Sequence, residues 1–284
     1  MFDHYSLPFF AEHLPSPLPS REIISSSQHI LQDYPGCRIV QVSDHFVVKY
    51  GTGVRMVEGV NMLFVRQSTT IAVPTVYAIY SHQHEGNKLA TNYIVMENTR
   101  GESLDSRWAA LDTPAKQSIA DQLRGYLTQL RHLPPPNYFG LLGKRPFDDS
   151  VLWAGDDADI PVMSGPFETE QQMLEAVMQK YEHSNHQIRK AEFYRHTLPS
   201  VLHDHPPVFT HGDFQRENII VKDNGTLVMI NWEAAGWYPT FWEYSMAMFY
   251  CRWDDDWHSW VPRVLDEYLN EYAWMNMIFQ ELWS

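Results

Sequence analysis

Cysteine is nearly absent: Cys37 and Cys251 are the only two in 284 residues. That count leaves no disulfide framework and no paired-cysteine zinc site, and a reducing compartment is the simplest reading. Basic residues are scarce as well, 21 against 35 acidic, for a formal net charge of -14. Such a balance argues against nucleic acid or an anionic membrane surface as a main partner. It suits a cationic small molecule, and it serves solubility equally well. No apolar run approaches the ~20 residues that span a bilayer. Asp3, His4 and Glu12 break the N-terminus where a signal peptide needs an uninterrupted apolar stretch. The expectation is a soluble, cytoplasmic protein.

What the chain does have is hydrophobic content of 44%, aromatic content of 14%, and one stretch that organises the rest. Phe209-Thr210 runs into His211-Gly212-Asp213, Asn218 follows after four residues, and Ile219-Ile220-Val221 reads as a strand. Asn224-Gly225 supplies the positive-φ pair of a tight hairpin. The returning strand, Leu227-Val228-Met229-Ile230, ends in Asn231-Trp232-Glu233. An acid and an amide on a loop, a hairpin, then a second polar cluster is how phosphotransferases present a base and metal ligands to a nucleotide. His-Gly-Asp alone is equally a capped turn; the spacing to Asn218 and the second cluster make the difference.

Through His211-Gly212-Asp213, Asn218 and Ile230-Asn231-Trp232-Glu233-Ala234-Ala235-Gly236-Trp237-Tyr238-Pro239-Thr240-Phe241-Trp242-Glu243-Tyr244, the chain resembles the aminoglycoside phosphotransferase and choline kinase superfamily, its fungal branch most. The likeness covers nearly everything after residue 20. It departs at one position, where Asn231 stands in place of the family's metal-binding Asp. The resemblance implies an α+β, bilobal, protein-kinase-like fold: an irregular arm over 1–20, a small antiparallel-sheet lobe over 21–97, and a helical lobe over 98–284 carrying the catalytic loop. It implies ATP and Mg²⁺, with Asp213 as base lining the cleft between lobes and Asn218, Asn231 and Glu233 near the metal. His211 braces the loop by hydrogen bonds.

Ahead of that stretch, Arg21 to Gln32 reads as a short helix, and Arg38 to Val42 and His45 to Tyr50 as two strands. Lys49 lies inside an apolar, β-branched strand, where a charge either faces water at an edge or is kept for phosphate. No Gly-rich loop precedes it. Met56, Val57, Val60, Leu63 and Phe64 recur at helical spacing over Arg55 to Gln67, with Glu58 at the flank of the stripe. By resemblance Glu58 pairs with Lys49 over the α/β-phosphates; otherwise it is a solvated surface acid. Strands are expected over Thr75 to Tyr80 and Thr91 to Met96. By resemblance, backbone groups of Met96, Glu97 and Asn98 meet adenine, and Gly101-Glu102-Ser103-Leu104 follows that hinge.

Thr113-Pro114 opens a helix stopped by Pro134-Pro135-Pro136, residues 137–166 are mostly loop, and Glu168 to Arg195 is helical in pattern. Thr240 and Glu243 fit a capping box for a helix through Phe249. Trp253, Trp257 and Trp260 interleave with Asp254-Asp255-Asp256, a patch read either as surface helix packing or as a cage for an amine. His82/His84, His183/His186 and His203/His205 have metal-like spacing without a second paired site, and are read as surface residues.

The reading favoured is an ATP/Mg²⁺-dependent phosphotransferase acting on a hydroxyl of a small molecule, cationic or of the natural-product type met in secondary metabolism. Two alternatives stay open: a kinase fold that has lost transfer and binds a ligand or partner, and one reused for other acid–base chemistry with Asp213. Asn231 is the pivot, since an amide oxygen brings no charge to a hard cation.

Overall fold

The apolar strands expected on either side of Lys49 assemble into one antiparallel sheet. In the computed structural model, which describes residues 6–83, 86, 89–147, 164–183 and 188–282, its strands are β1 (Phe9–Phe10), β2 (Ile30–Tyr34), β3 (Cys37–Gln41), β4 (Phe46–Gly51), β5 (Val76–His82) and β6 (Thr91–Glu97). They are hydrogen-bonded in the order β1-β5-β6-β4-β3-β2. Alternation sends Phe46 and Val48 of β4 into a buried cluster with Ile24, Val40, Ala78, Tyr93 and Val95. Lys49 therefore points to the opposite face. Its cross-strand partner there is Ile94, itself paired with Ile79, and directly paired residues share a face.

Helix α2 (Val57–Ser68) lies on that face. A Cβ on Gly59 would come within 2.6 Å of the Ile79 side chain, so a glycine is what lets the helix sit this close to the sheet. Close packing at Gly59 places Glu58 and, one turn on, Asn61 over the sheet, both buried.

Two local expectations are corrected here. The helix over Arg21 to Gln32 stops early: α1 is Arg21–Ser26, and β2 begins at Ile30. Ser25 and Ser26 turn their hydroxyls back onto Glu22 O and Ile23 O, and the residues beyond find partners in β3, a non-local gain that local periodicity does not report. The arm over 1–20 is also not wholly irregular, since Phe9 and Phe10 pair with Ile79 and Ala78.

The chain forms two compact units, Met1–Ser106 with Ile219–Glu233, and Arg107–Asn218 with Ala234–Ser284. The hairpin expected within 98–284 thus groups with the sheet-bearing unit. Strands β7 (Glu102–Ser103), β9 (Ile219–Val221) and β10 (Leu227–Met229) form a small sheet in the order β10-β9-β7. Met229 N–H also donates to Ala72 O, at 3.0 Å.

The second unit is mainly helical, with α4 (Thr113–Arg131), α5 (Glu170–His183), α6 (Ile188–Val201), α7 (Trp242–Phe249), α8 (Trp257–Val264) and α9 (Leu269–Leu282); the short α3 is Leu104–Trp108. Strands β8 (Pro207–Thr210) and β11 (Gly236–Pro239) pair antiparallel, Thr210 opposite Gly236. His84, His186 and most of the loop expected over 137–166 lie outside the described residues. No helix among the described residues is long and apolar enough to cross a membrane.

Candidate active site

In the first unit the geometry centres on Lys49, whose side chain is 3% exposed. Its ammonium lies 2.7 Å from Glu58 Oε2 and 2.8 Å from Glu233 Oε2. Burial works against the charge, but the two carboxylates outweigh it and hold the lysine well above its usual pKa. Of the two partners, Glu58 is buried and Glu233 is 35% exposed. The expected metal-side acid Glu233 is thus a lysine partner here.

What holds Glu233 in place is its neighbour. Trp232 is fully buried; its indole N–H donates to Met229 O at 2.9 Å, and its carbonyl accepts from Asn61 Nδ2 at 2.8 Å. Helix α2 so grips both members of the site, the lysine through Glu58 and the 231–233 segment through Asn61. Asn231 has φ +64, a left-handed conformation that Asn and Asp tolerate better than other side chains.

The hinge expectation is altered. Glu97 N–H donates to Thr75 O and Asn98 N–H to His45 O, while Met96 sits in the middle strand of three, between Val47 and Val76. The Glu97 carboxylate accepts from Thr75 N–H and Oγ1 and pairs with Lys222. The N–H groups of Glu97 and Asn98 are thus taken by the protein's own carbonyls.

In the second unit the structure brings His211, Asp213 and Asn218 together. Asn218 Nδ2 donates to Asp213 Oδ2 at 2.8 Å and to Asp213 O at 2.9 Å. Gln215 Nε2 donates to Asp213 Oδ1 at 2.5 Å. With its donor end committed to Asp213, the Asn218 amide turns its oxygen the other way. His211 is fully buried, and its Nδ1 accepts the Asp213 N–H at 3.2 Å, the bracing role expected of it.

Gly212 has φ +82, and a Cβ there would stand 2.6 Å from Ala234 O; only glycine fits. The loop is tied down by Glu243, which accepts from His211 N–H at 2.6 Å and Gly212 N–H at 3.1 Å. Burial pushes this carboxyl upward in pKa, opposed by His211, Arg131 and the two N–H groups. The capping box with Thr240 is therefore absent: α7 has Phe241 at its N-cap and no side-chain cap. Loop amides that would otherwise be buried without acceptors take the carboxylate instead.

The Trp/Asp patch is a cation cage already filled by the protein. The Arg216 guanidinium lies 5.5 Å from the rings of both Trp108 and Trp257 and 2.6 Å from Asp255. Asp256 accepts from Trp108 Nε1, Trp260 Nε1 and Lys116 Nζ. Burial raises that carboxyl, yet these donors outweigh it and leave it below the usual range. Trp257 and Trp260 are buried rather than on the surface, while Trp253 is 60% exposed. The surface reading also fails for His205, which is held between Glu170 (2.7 Å) and Glu271 (3.5 Å).

Four contributors escape the sequence reading: Asn61, Gln215, Arg216 and Glu243. Two left a trace. Asn61 is a polar residue three positions after Glu58 on the apolar side of α2, and Glu243 is the one charge in the run Trp242-Glu243-Tyr244-Ser245-Met246-Ala247-Met248-Phe249, where burial demands a partner.

For a divalent cation, neither unit supplies a carboxylate-rich donor set. The first has the Asn231 amide, with Glu233 on Lys49; the second has the Asn218 amide, with both Asp213 oxygens accepting hydrogen bonds. Among the described residues no group of three or more His, Cys, Asp or Glu is placed to hold a metal. Hard cations favour carboxylate oxygen, and positions 218 and 231 offer amide oxygen instead.

A family model described as the phosphotransferase enzyme family matches residues 62–278. A subtelomeric hrmA-associated cluster protein of Aspergillus fumigatus is 35% identical over 91 residues, 32% of this chain and 18% of that protein, so the match spans less than a fifth of the relative. Among solved structures, a thermostable mutant of aminoglycoside phosphotransferase APH(4)-Ia in ternary complex with ADP and hygromycin B superposes with a TM-score of 0.57 at 14% identity, covering 91% of this chain and 80% of that one. The streptomycin–ATP–APH(2")-IIa ternary complex gives 0.58 at 12% identity, covering 95% and 92%. At such identities these two establish the fold.

Proposed function

Because the chain belongs to the phosphotransferase enzyme family, we propose that it transfers the γ-phosphate of ATP to a hydroxyl of a small molecule. The observation that carries the reading is Asp213, fixed by amide donors from Asn218 and Gln215 on a loop whose backbone is clamped by Glu243. ATP supplies the transferable phosphoryl group. Asp213 accepts the proton of the acceptor hydroxyl. Lys49 is the cation for phosphate oxygens in the first unit, and Glu58 orients it.

The acceptor class rests on two supports. The net charge of -14 favours a cationic or amine-bearing molecule, and relatives of the same fold are described with hygromycin B and streptomycin. The Trp/Asp patch no longer adds to this, since Arg216 and Lys116 fill it. Asn231 favours a second reading, nucleotide binding without transfer, because it withholds the charge a metal would use.

The test is Asp213→Asn, which keeps shape while removing the base. ATP turnover should fall by about 10²–10⁴-fold with nucleotide affinity retained. Unchanged turnover removes Asp213 from the mechanism. Wild-type protein that binds ATP without hydrolysis or transfer supports the second reading.

A further inference from the structure

Lys49 carries one charge more in partners than it needs. One carboxylate neutralises a buried ammonium; here two lie within 2.8 Å, so the cluster is net negative by one. Such a cluster repels a phosphate. The ammonium has three donors, and donor number does not forbid a third anion, but three anions around one cation is unfavourable at these distances. For Lys49 to receive phosphate oxygens, one carboxylate has to leave.

The two are not equivalent. Glu58 is buried on α2, beside the Gly59 contact with Ile79 that fixes the helix against the sheet; moving it exposes a buried charge to the core. Glu233 is 35% exposed and reaches Lys49 from the residue after Trp232, so it swings into water without leaving a buried charge unpaired. It is also the sole carboxylate between Asp223 and Glu243. With an amide at 231, the segment puts its one negative charge on the lysine.

We propose that Glu233 is a displaceable counter-ion that occupies the phosphate seat of Lys49 until a nucleotide takes it. The proposal rests on the nucleotide reading of Lys49. It makes Glu233 a regulator of occupancy: nucleotide binding becomes an exchange of one anion for another, and empty protein keeps its buried lysine paired.

The experiment is isothermal titration of ADP into the full chain, in EDTA and again with Mg²⁺, for wild type, Glu233→Gln, Glu233→Ala and the double variant Lys49→Met/Glu233→Gln. Melting temperatures confirm that each variant is folded. Removing a competing partner from a one-third-exposed pair should tighten metal-free ADP binding about fivefold, in both Glu233 variants, and Lys49→Met should abolish the gain. Unchanged or weaker binding in both Glu233 variants overturns the counter-ion role while leaving the nucleotide reading intact. Failure of every protein to bind ADP with or without Mg²⁺ overturns that reading, and the counter-ion with it.

Discussion

Glu243 should be among the most costly residues to replace outside the reacting groups. Its carboxylate accepts two backbone N–H bonds, from His211 at 2.6 Å and Gly212 at 3.1 Å, and the residue is 2% exposed. A hydrogen bond to a charged group is worth about 1.5–3 kcal/mol, and a buried donor left without an acceptor costs its full desolvation. Glu243→Ala orphans both donors and opens a cavity, for a loss of about 3–6 kcal/mol against a total stability of about 5–15 kcal/mol. Glu243→Gln keeps one acceptor but turns an NH₂ toward the second N–H, so about 2–3 kcal/mol is expected. Urea unfolding followed by tryptophan fluorescence measures this directly, with Trp242 next to the substituted position. The loop should also slacken, and turnover of folded Glu243→Gln should fall. A loss under about 1 kcal/mol in Glu243→Gln would refute the claim that this carboxylate anchors the loop.

His205 offers a pH-dependent test. Burial disfavours its charge, but Glu170 and then Glu271 outweigh that and raise its pKa above the usual 6.5. A raised histidine contributes stability that is complete below the unfolded pKa and lost as pH rises through the folded one. Urea midpoints should therefore decline between wild type and His205→Gln as pH climbs above 6.5, the two curves converging; parallel curves would remove the clasp. Asn231→Asp should raise Mg²⁺ affinity and ATP turnover, since Asp also tolerates φ +64 and adds the charge a hard cation favours. Unaltered Mg²⁺ titrations in that variant would show that position 231 faces no metal.

Legibility followed the range of the interaction. Lys49 stood out as a charge inside an apolar strand, whereas Glu58, at the flank of its helical stripe, was paired with it only through the family resemblance. His211, Asp213 and Asn218 were readable from spacing along one loop. Glu233 on Lys49 was not, since the pair is separated by 184 residues and nothing local marks it. The same holds for β2, whose strand state depends on β3 rather than on its own exposed side chains. Glu243 misled for a different reason: Thr240-x-x-Glu243 satisfies a capping rule, and a stronger demand, two buried loop amides, took the carboxylate. The Trp/Asp patch carried the right chemistry, a cage for a cation, and hid that Arg216, three residues past Asp213, is the occupant.

The unit that holds Lys49 is discontinuous, closing only when Ile219–Glu233 joins Met1–Ser106. On a ribosome the first segment emerges long before the second, with Arg107–Asn218 still to be made between them. The nascent sheet spends that interval with its lysine missing Glu233 and its α2 asparagine missing the Trp232 carbonyl. Contacts of such sequence separation are slow to form and wait on closure of the intervening chain. Completion of the lysine site is thus a late folding event, timed by synthesis of Ile219–Glu233, and products truncated before it carry an unfinished one.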